Sequence, residues 1–283
     1  MIKLVMTDLD DTLISHDAGQ ENASPRALDA IRELLDAGVH FGPVSGRTPS
    51  SMEGMFCGYE PAYATGAFSN GQIVLLDGSV IHREYCPVEP LQRVADICDA
   101  EGDAALTLYG MDYDGQGCFV TSRGSRPHVG LSAWSRLFGM ASCVEEPSLK
   151  ANVHLAQGSR VRHTEIRDLL RSEVPELDFV FPSNSAPILD ILPAGYGKGS
   201  AVRILAQALG LGDDEIATFG DSENDLSMLE PFPYAVAVGN ACAEAKAATR
   251  WHIGPSAEDS VAAAFEQIAQ ATRRGELPAF LQG

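Results

Sequence analysis

The run Ile2-Lys3-Leu4-Val5-Met6-Thr7 leads directly into Asp8-Leu9-Asp10-Asp11-Thr12-Leu13. A short apolar, β-prone stretch that stops at an acidic cluster suits a buried strand of a parallel sheet, and ligands bind at the carboxyl ends of such strands. Three carboxylates within four residues repel one another unless a cation or hydrogen-bond donors offset them. The cluster therefore reads either as a metal site or as an acidic turn with capping duty. The same grammar returns more than 200 residues later, where Ile216 to Phe219 is followed by Gly220-Asp221-Ser222-Glu223-Asn224-Asp225. Taken alone, Asp221 and Asp225 are charges that favour the N-terminus of the next helix. In one parallel sheet, however, both clusters lie at strand carboxyl ends and can converge on a single hard cation.

The intervening sequence supports that sheet. Ser24-Pro25 opens a helical pattern of Leu28, Ile31, Leu34 and Leu35, and Gly38 closes it, which places a cap, a first-position proline and a terminal glycine where a helix wants them. Val39 to Val44 reads as the next strand, so strand, helix and strand form a βαβ unit. Towards the far end, a helix from Lys198 to Leu209 precedes the strand Ile216 to Phe219, a short helix near Asp225 to Leu229, the strand Tyr234 to Val238 and terminal helices. Residues 84–189 differ, with shorter apolar runs such as Leu106 to Tyr109 and Cys118 to Thr121. A chain of 283 residues holds about two domains at roughly 150 residues each. The expectation is an α/β fold in which 1–83 and 190–283 form one core and 84–189 is an inserted domain.

Twenty Lys+Arg against 39 Asp+Glu give a formal charge of -19, which repels a nucleic-acid backbone or an anionic membrane. Neither is an expected partner. A small anionic substrate would need local cations, a metal or helix N-termini. The N-terminal apolar run is too short for a secretory signal, and no stretch approaches the roughly 18 apolar residues of a membrane helix, so a cytoplasmic protein is expected. The six cysteines show no C-x-x-C pair that would suggest a zinc site.

Two further features suggest anion binding. Ser45-Gly46-Arg47 follows the second strand, where a hydroxyl and free N–H groups make an anion nest. Lys198 starts a helix, where the dipole disfavours a cation unless an anion is there to meet it. A Walker loop is excluded, because Leu192 and Gly199 stand where Gly and Ser or Thr are required. No G-x-S-x-G elbow occurs either.

In this order, the D-x-D-x-T of Asp8 to Leu13, Ser45, Lys198 and the G-D-x-x-N-D of Gly220 to Asp225 resemble the haloacid dehalogenase superfamily of phosphatases, in its Cof-type branch. Ser69-Asn70-Gly71 and Val238-Gly239-Asn240-Ala241 are supporting matches, while Ser260 departs from the glycine usual in the branch. The resemblance implies a Rossmann-like parallel-sheet core with an inserted α/β cap of the C2 type, and a Mg2+-dependent phosphomonoester hydrolase. It implies Asp8 as nucleophile and Asp10 as acid and base. Mg2+ would lie on the Asp8 carboxylate, the Asp10 carbonyl and Asp221. Ser45, Gly46, Lys198 and Asn224 would hold phosphate, with Asp225 and Arg47 in support. The substrate would be a small phosphorylated metabolite: a sugar phosphate, a nucleotide or a phosphorylated cofactor. A phosphomutase or phosphotransferase uses the same aspartates. A non-enzymatic phosphate-responsive module also clusters aspartates with a lysine, but in a single domain of roughly 120 residues. His16, His82, His154 and His252 lack paired metal spacing and read as packing or surface residues. Tyr109, Tyr113, Trp134 and His154 fall in the insert, facing either substrate or the insert's own core.

Overall fold

The computed structural model describes residues 1–109, 117–125, 127, 129, 138–156, 158–182 and 187–282. Tyr113 and Trp134 lie outside them. The chain divides into two compact units, Met1–His82 with Gly197–Gly283, and Arg83–Tyr196.

The first unit is built on a five-stranded parallel sheet. Its order is Trp251–His252, Tyr234–Ala237, Ile216–Gly220, Leu4–Thr7 and His40–Pro43. Leu4–Thr7 pairs with both Ile216–Gly220 and His40–Pro43, in the registers Thr7 with Phe219 and Thr7 with Pro43. The residues that follow these three strands, Asp8, Asp221 and Val44-Ser45, thus leave neighbouring strand ends on one edge. Every residue of Leu4–Thr7 and of Ile216–Gly220 is buried, as the apolar runs require of a sheet covered on both faces.

Helix Pro25–Asp36 starts on Ser24, whose Oγ accepts the Ala27 N–H at 3.1 Å. Such a cap is worth about 1 kcal/mol. This helix packs on Ser260–Arg274. From the latter, Phe265 meets Phe41 and Phe219 edge-on, with ring centres 5.5 and 5.3 Å away. Burying a side chain of that size contributes roughly 1.5–3 kcal/mol. Helix Lys198–Leu209 packs against the short helix Leu226–Leu229, which in turn lies on Ile216–Gly220 and Tyr234–Ala237. A small sheet of Gly66–Phe68, Ile73–Leu76 and Ser79–Arg83 completes the unit.

The second unit has a six-stranded sheet. Its order is Leu177–Val180, Ile188–Pro193, Ala151–Leu155, Ala104–Tyr109, Gly117–Val120 and Gly139–Ala141, antiparallel except for the last pair. Helices Val88–Glu101 and Arg160–Glu173 supply Leu91, Val94, Cys98, Ile166 and Leu170 to a core that includes Leu106, Val153 and Ile191 from the strands. Positions of opposite parity put Ala105 and Phe119 into a separate cluster with Phe138, as the two-residue period of a strand dictates. Among the described residues, no helix is long and apolar enough to cross a membrane.

Candidate active site

Lys198 is the first residue of its helix and is wholly buried. Its Nζ donates to Asp8 Oδ1 and to Asp225 Oδ1, each at 2.5 Å. Burial works against the ammonium, but Asp225 and Asp8 outweigh it and raise its pKa, so the lysine stays charged. The other oxygen of Asp225 accepts the N–H groups of Asp221 and Ser222 at 2.8 and 3.0 Å. Asp225 thereby ties Lys198 to the turn that carries Asp221.

Ligand atoms of Asp8, Asp221 and Asp225 all lie within 4.8 Å of one another. Asp221 Oδ1 accepts the Thr12 hydroxyl at 3.0 Å. Among the described residues, Asp8 Oδ2 and Asp221 Oδ2 are the carboxylate oxygens of this trio without a donor. Burial pushes the Asp8 carboxyl well above its usual range, with Lys198 opposing and Asp225, Asp221 and Asp10 adding to the rise. Asp221 is lifted to about 7, first by burial and then by Asp225. One ammonium among three carboxylates leaves excess negative charge. An all-oxygen donor set with two unengaged carboxylate oxygens fits a hard divalent cation.

Asp10 turns elsewhere. Arg47 grips it with two bonds, Nε to Oδ2 at 2.8 Å and Nη2 to Oδ1 at 2.6 Å. His16 Nε2–H donates to Oδ1 at 2.7 Å. Burial pushes the Asp10 carboxyl up, but hydrogen bonding and charge from Arg47, with help from His16, hold it below the usual carboxylate range.

Ser45 is buried, and its Oγ accepts the Arg47 N–H at 3.1 Å. The Ser45 and Arg47 carbonyls accept N–H groups of Asn70 and Ser69, each at 2.8 Å. Both of these residues have positive φ, so the Ser69-Asn70-Gly71 turn braces the loop holding Ser45, Gly46 and Arg47. The Asn224 amide donates to Asn70 Oδ1 at 3.4 Å, and its oxygen accepts the Ser222 hydroxyl at 2.8 Å. Asn240 donates to the Asp11 carbonyl at 2.7 Å and accepts the Ser256 N–H at 2.8 Å.

The structure thus gathers Asp8, Lys198, Asp221 and Asp225 into one cluster and joins Asp10 to Arg47. Spacing reads His16 as a packing or surface residue; it is exposed, and its contact with Asp10 is what that reading does not anticipate. Its approach to Asp10 depends on a turn that periodicity does not report. Thr12 was visible within the D-x-D-x-T motif, but its bond to Asp221 was not. In the second unit, Tyr109 and His154 pack against Phe138, with ring centres 5.6 and 6.3 Å away.

The sequence pattern of haloacid dehalogenase-like hydrolases matches residues 5–265. A Haemophilus influenzae relative that carries a provisional phosphatase name is 28% identical over 278 residues, covering 94% of this chain and 98% of its own. The HMP-PP phosphatase of Yersinia pestis is 27% identical over 265 residues, covering 87% of each chain. A solved sugar phosphatase of haloacid dehalogenase subclass IIB is similar in fold, with a TM-score of 0.75 at 17% identity over 93% of this chain and 98% of the other.

Proposed function

The chain belongs to the haloacid dehalogenase-like hydrolases, and on that premise we propose that it is a Mg2+-dependent phosphomonoester phosphatase working through an aspartyl phosphate on Asp8. The observation that carries the reading is the buried cluster in which Lys198 spans Asp8 and Asp225 while Asp8 Oδ2 and Asp221 Oδ2 take no donor. The Lys198 contact fixes the direction of the Asp8 carboxylate, as a positioned nucleophile needs.

The Asp8 carboxylate, Asp221 and the Asp10 carbonyl would hold Mg2+, which when bound supplies charge neutralisation at the phosphoryl oxygens. Lys198 contributes a fixed positive charge beside Asp8. Ser45, Gly46 and Asn224 offer hydrogen bonds to the remaining phosphoryl oxygens. Asp8 attacks phosphorus as the bond to the leaving oxygen breaks, and Asp10 gives that oxygen a proton. Asp10 then takes a proton from the water that hydrolyses the acyl phosphate, which frees Asp8 and releases phosphate. The lowered pKa of Asp10 favours the second, basic half of this work.

The substrates are small phosphorylated metabolites, the class to which the named relatives' substrates belong. We assign Arg83–Tyr196 the choice among sugar phosphates, nucleotides and phosphorylated cofactors, because every motif that carries chemistry lies outside it. The test is phosphate release from a panel of such esters, with Mg2+ and with EDTA. Mg2+-dependent release, abolished in Asp8→Asn and reduced by at least roughly 10²-fold in Asp10→Asn, supports the reading. Turnover near wild type in Asp8→Asn would sink it, and transfer to an added sugar in place of release to water would reassign it to a phosphotransferase.

A further inference from the structure

The turn after the first strand folds back tightly. Ile14 N–H donates to the Leu9 carbonyl at 2.8 Å, and Asp11 N–H to the Ile14 carbonyl at 2.8 Å. Asp11 sits at φ +60°, a left-handed conformation that Asp tolerates better than most residues because its short side chain bonds locally. Here Asp11 Oδ1 accepts the His16 N–H at 3.0 Å, and the Asp11 carbonyl is held by Asn240. The backbone of His16 is therefore anchored beside Asp10.

From that anchor the imidazole reaches Asp10 Oδ1, the same oxygen that receives Arg47 Nη2. The carboxylate thus carries three donors from two sides. Arg47 is a long side chain with several torsions to fix, and the two donors are similarly exposed, Arg47 at 43% and His16 at 46%. Arg47 holds both carboxylate oxygens through its fork, and His16, with two torsions and a backbone fixed by its own turn, adds the third donor at small entropic cost.

We propose that His16 is a positioning residue for Asp10: it sets the orientation from which the carboxylate exchanges protons with the leaving oxygen and with water. This inference rests on the acid and base role proposed for Asp10.

The experiment compares two phosphomonoesters at saturating Mg2+, an alkyl phosphate and 4-nitrophenyl phosphate. The alkoxide leaves only with a proton, whereas the nitrophenolate leaves without one. In His16→Ala, kcat for the alkyl ester should fall about tenfold, a part of the roughly 10²–10⁴-fold that general acid–base catalysis supplies. The pre-steady-state burst of nitrophenolate should keep its rate within about twofold. His16→Gln retains an N–H donor and should recover most of the lost kcat, while His16→Phe keeps a ring without a donor and should match His16→Ala. Circular dichroism and a thermal melt establish that each variant is folded.

A nitrophenolate burst that slows as much as the alkyl-ester kcat, or a fully active His16→Phe, would mean that the ring only packs and would overturn the proposal. So would a His16→Ala enzyme that matches wild type on the alkyl ester. A wild-type protein that releases phosphate with Mg2+ from neither of these esters nor any member of the metabolite panel overturns the proposed function itself, and this inference with it.

Discussion

Lys198 holds the most consequential position on the chain, a buried cation with a carboxylate on either side. Removing one partner from such an arrangement strands the others in a medium that does not solvate them, which costs about 3–5 kcal/mol. Lys198→Met should lower the urea unfolding free energy at pH 7 by that amount, and the deficit should shrink in acid as Asp8 takes up a proton. Asp221 supports a second prediction. Its pKa is raised from an ordinary 3.8 to about 7, so the folded protein binds a proton that the unfolded chain releases. The resulting stabilisation is fully present below about pH 4 and is lost as pH rises through 7. A divalent cation on Asp221 competes with that proton. In EDTA the melting temperature should therefore fall between pH 4 and 7, and the upward shift on adding Mg2+ should grow over the same interval. A Mg2+ shift that is the same at pH 5 and pH 7.5 would show that Asp221 is not where the cation binds.

At the scale of elements, the cluster depends on how closely two helices approach. A Cβ on Gly199 would lie 1.9 Å from the Ser227 carbonyl oxygen, and a backbone atom cannot swing aside. Gly199→Ala must push Lys198–Leu209 away from Leu226–Leu229, carrying Lys198 with it. The expected outcome is a loss of about 1–3 kcal/mol in urea, together with a fall in kcat, whereas Gly210→Ala, whose Cβ would meet nothing within 4 Å but whose φ is +67°, should lose stability alone. The elements that carry the cluster were legible because their signals are local. An apolar run stops at Asp8 and again at Asp221, and Ser24-Pro25 marks a helix start. Elements less tied to local pattern were harder to read. Helix Arg160–Glu173 buries only His163, Ile166 and Leu170, too thin a stripe to stand out in a polar stretch. Strand Ser79–Arg83 exposes both Val80 and Ile81, so it lacks the alternation that marks a strand. Within the site, the positions of Asp8, Lys198 and Asp221 follow from where their strands and helix end. The grip on Asp10 follows from side-chain geometry across a turn, which no periodicity encodes.

For the molecule as a whole, the formal charge of -19 opposes the approach of the dianionic esters proposed as substrates. Close to the cluster, Lys198 and Arg47 supply attraction, as would the proposed divalent cation, but these charges act over short distances. Farther out, the excess of carboxylates sets the field. The two contributions respond differently to salt, since the Debye length falls from about 30 Å at 0.01 M to about 8 Å at 0.15 M. Added salt removes the distant repulsion first and leaves the buried contacts nearly intact. An enzyme with a basic surface would lose encounter rate under this change. Here kcat/KM for a phosphate dianion should rise as ionic strength goes from about 0.01 to 0.15 M, while kcat, governed by the bound complex, should stay nearly constant. The measurement needs Mg2+ held at saturation throughout, so that metal binding does not contribute its own salt dependence. A fall in kcat/KM would mean that local cations dominate the approach path, and that the acidic surface plays no part in how substrate arrives.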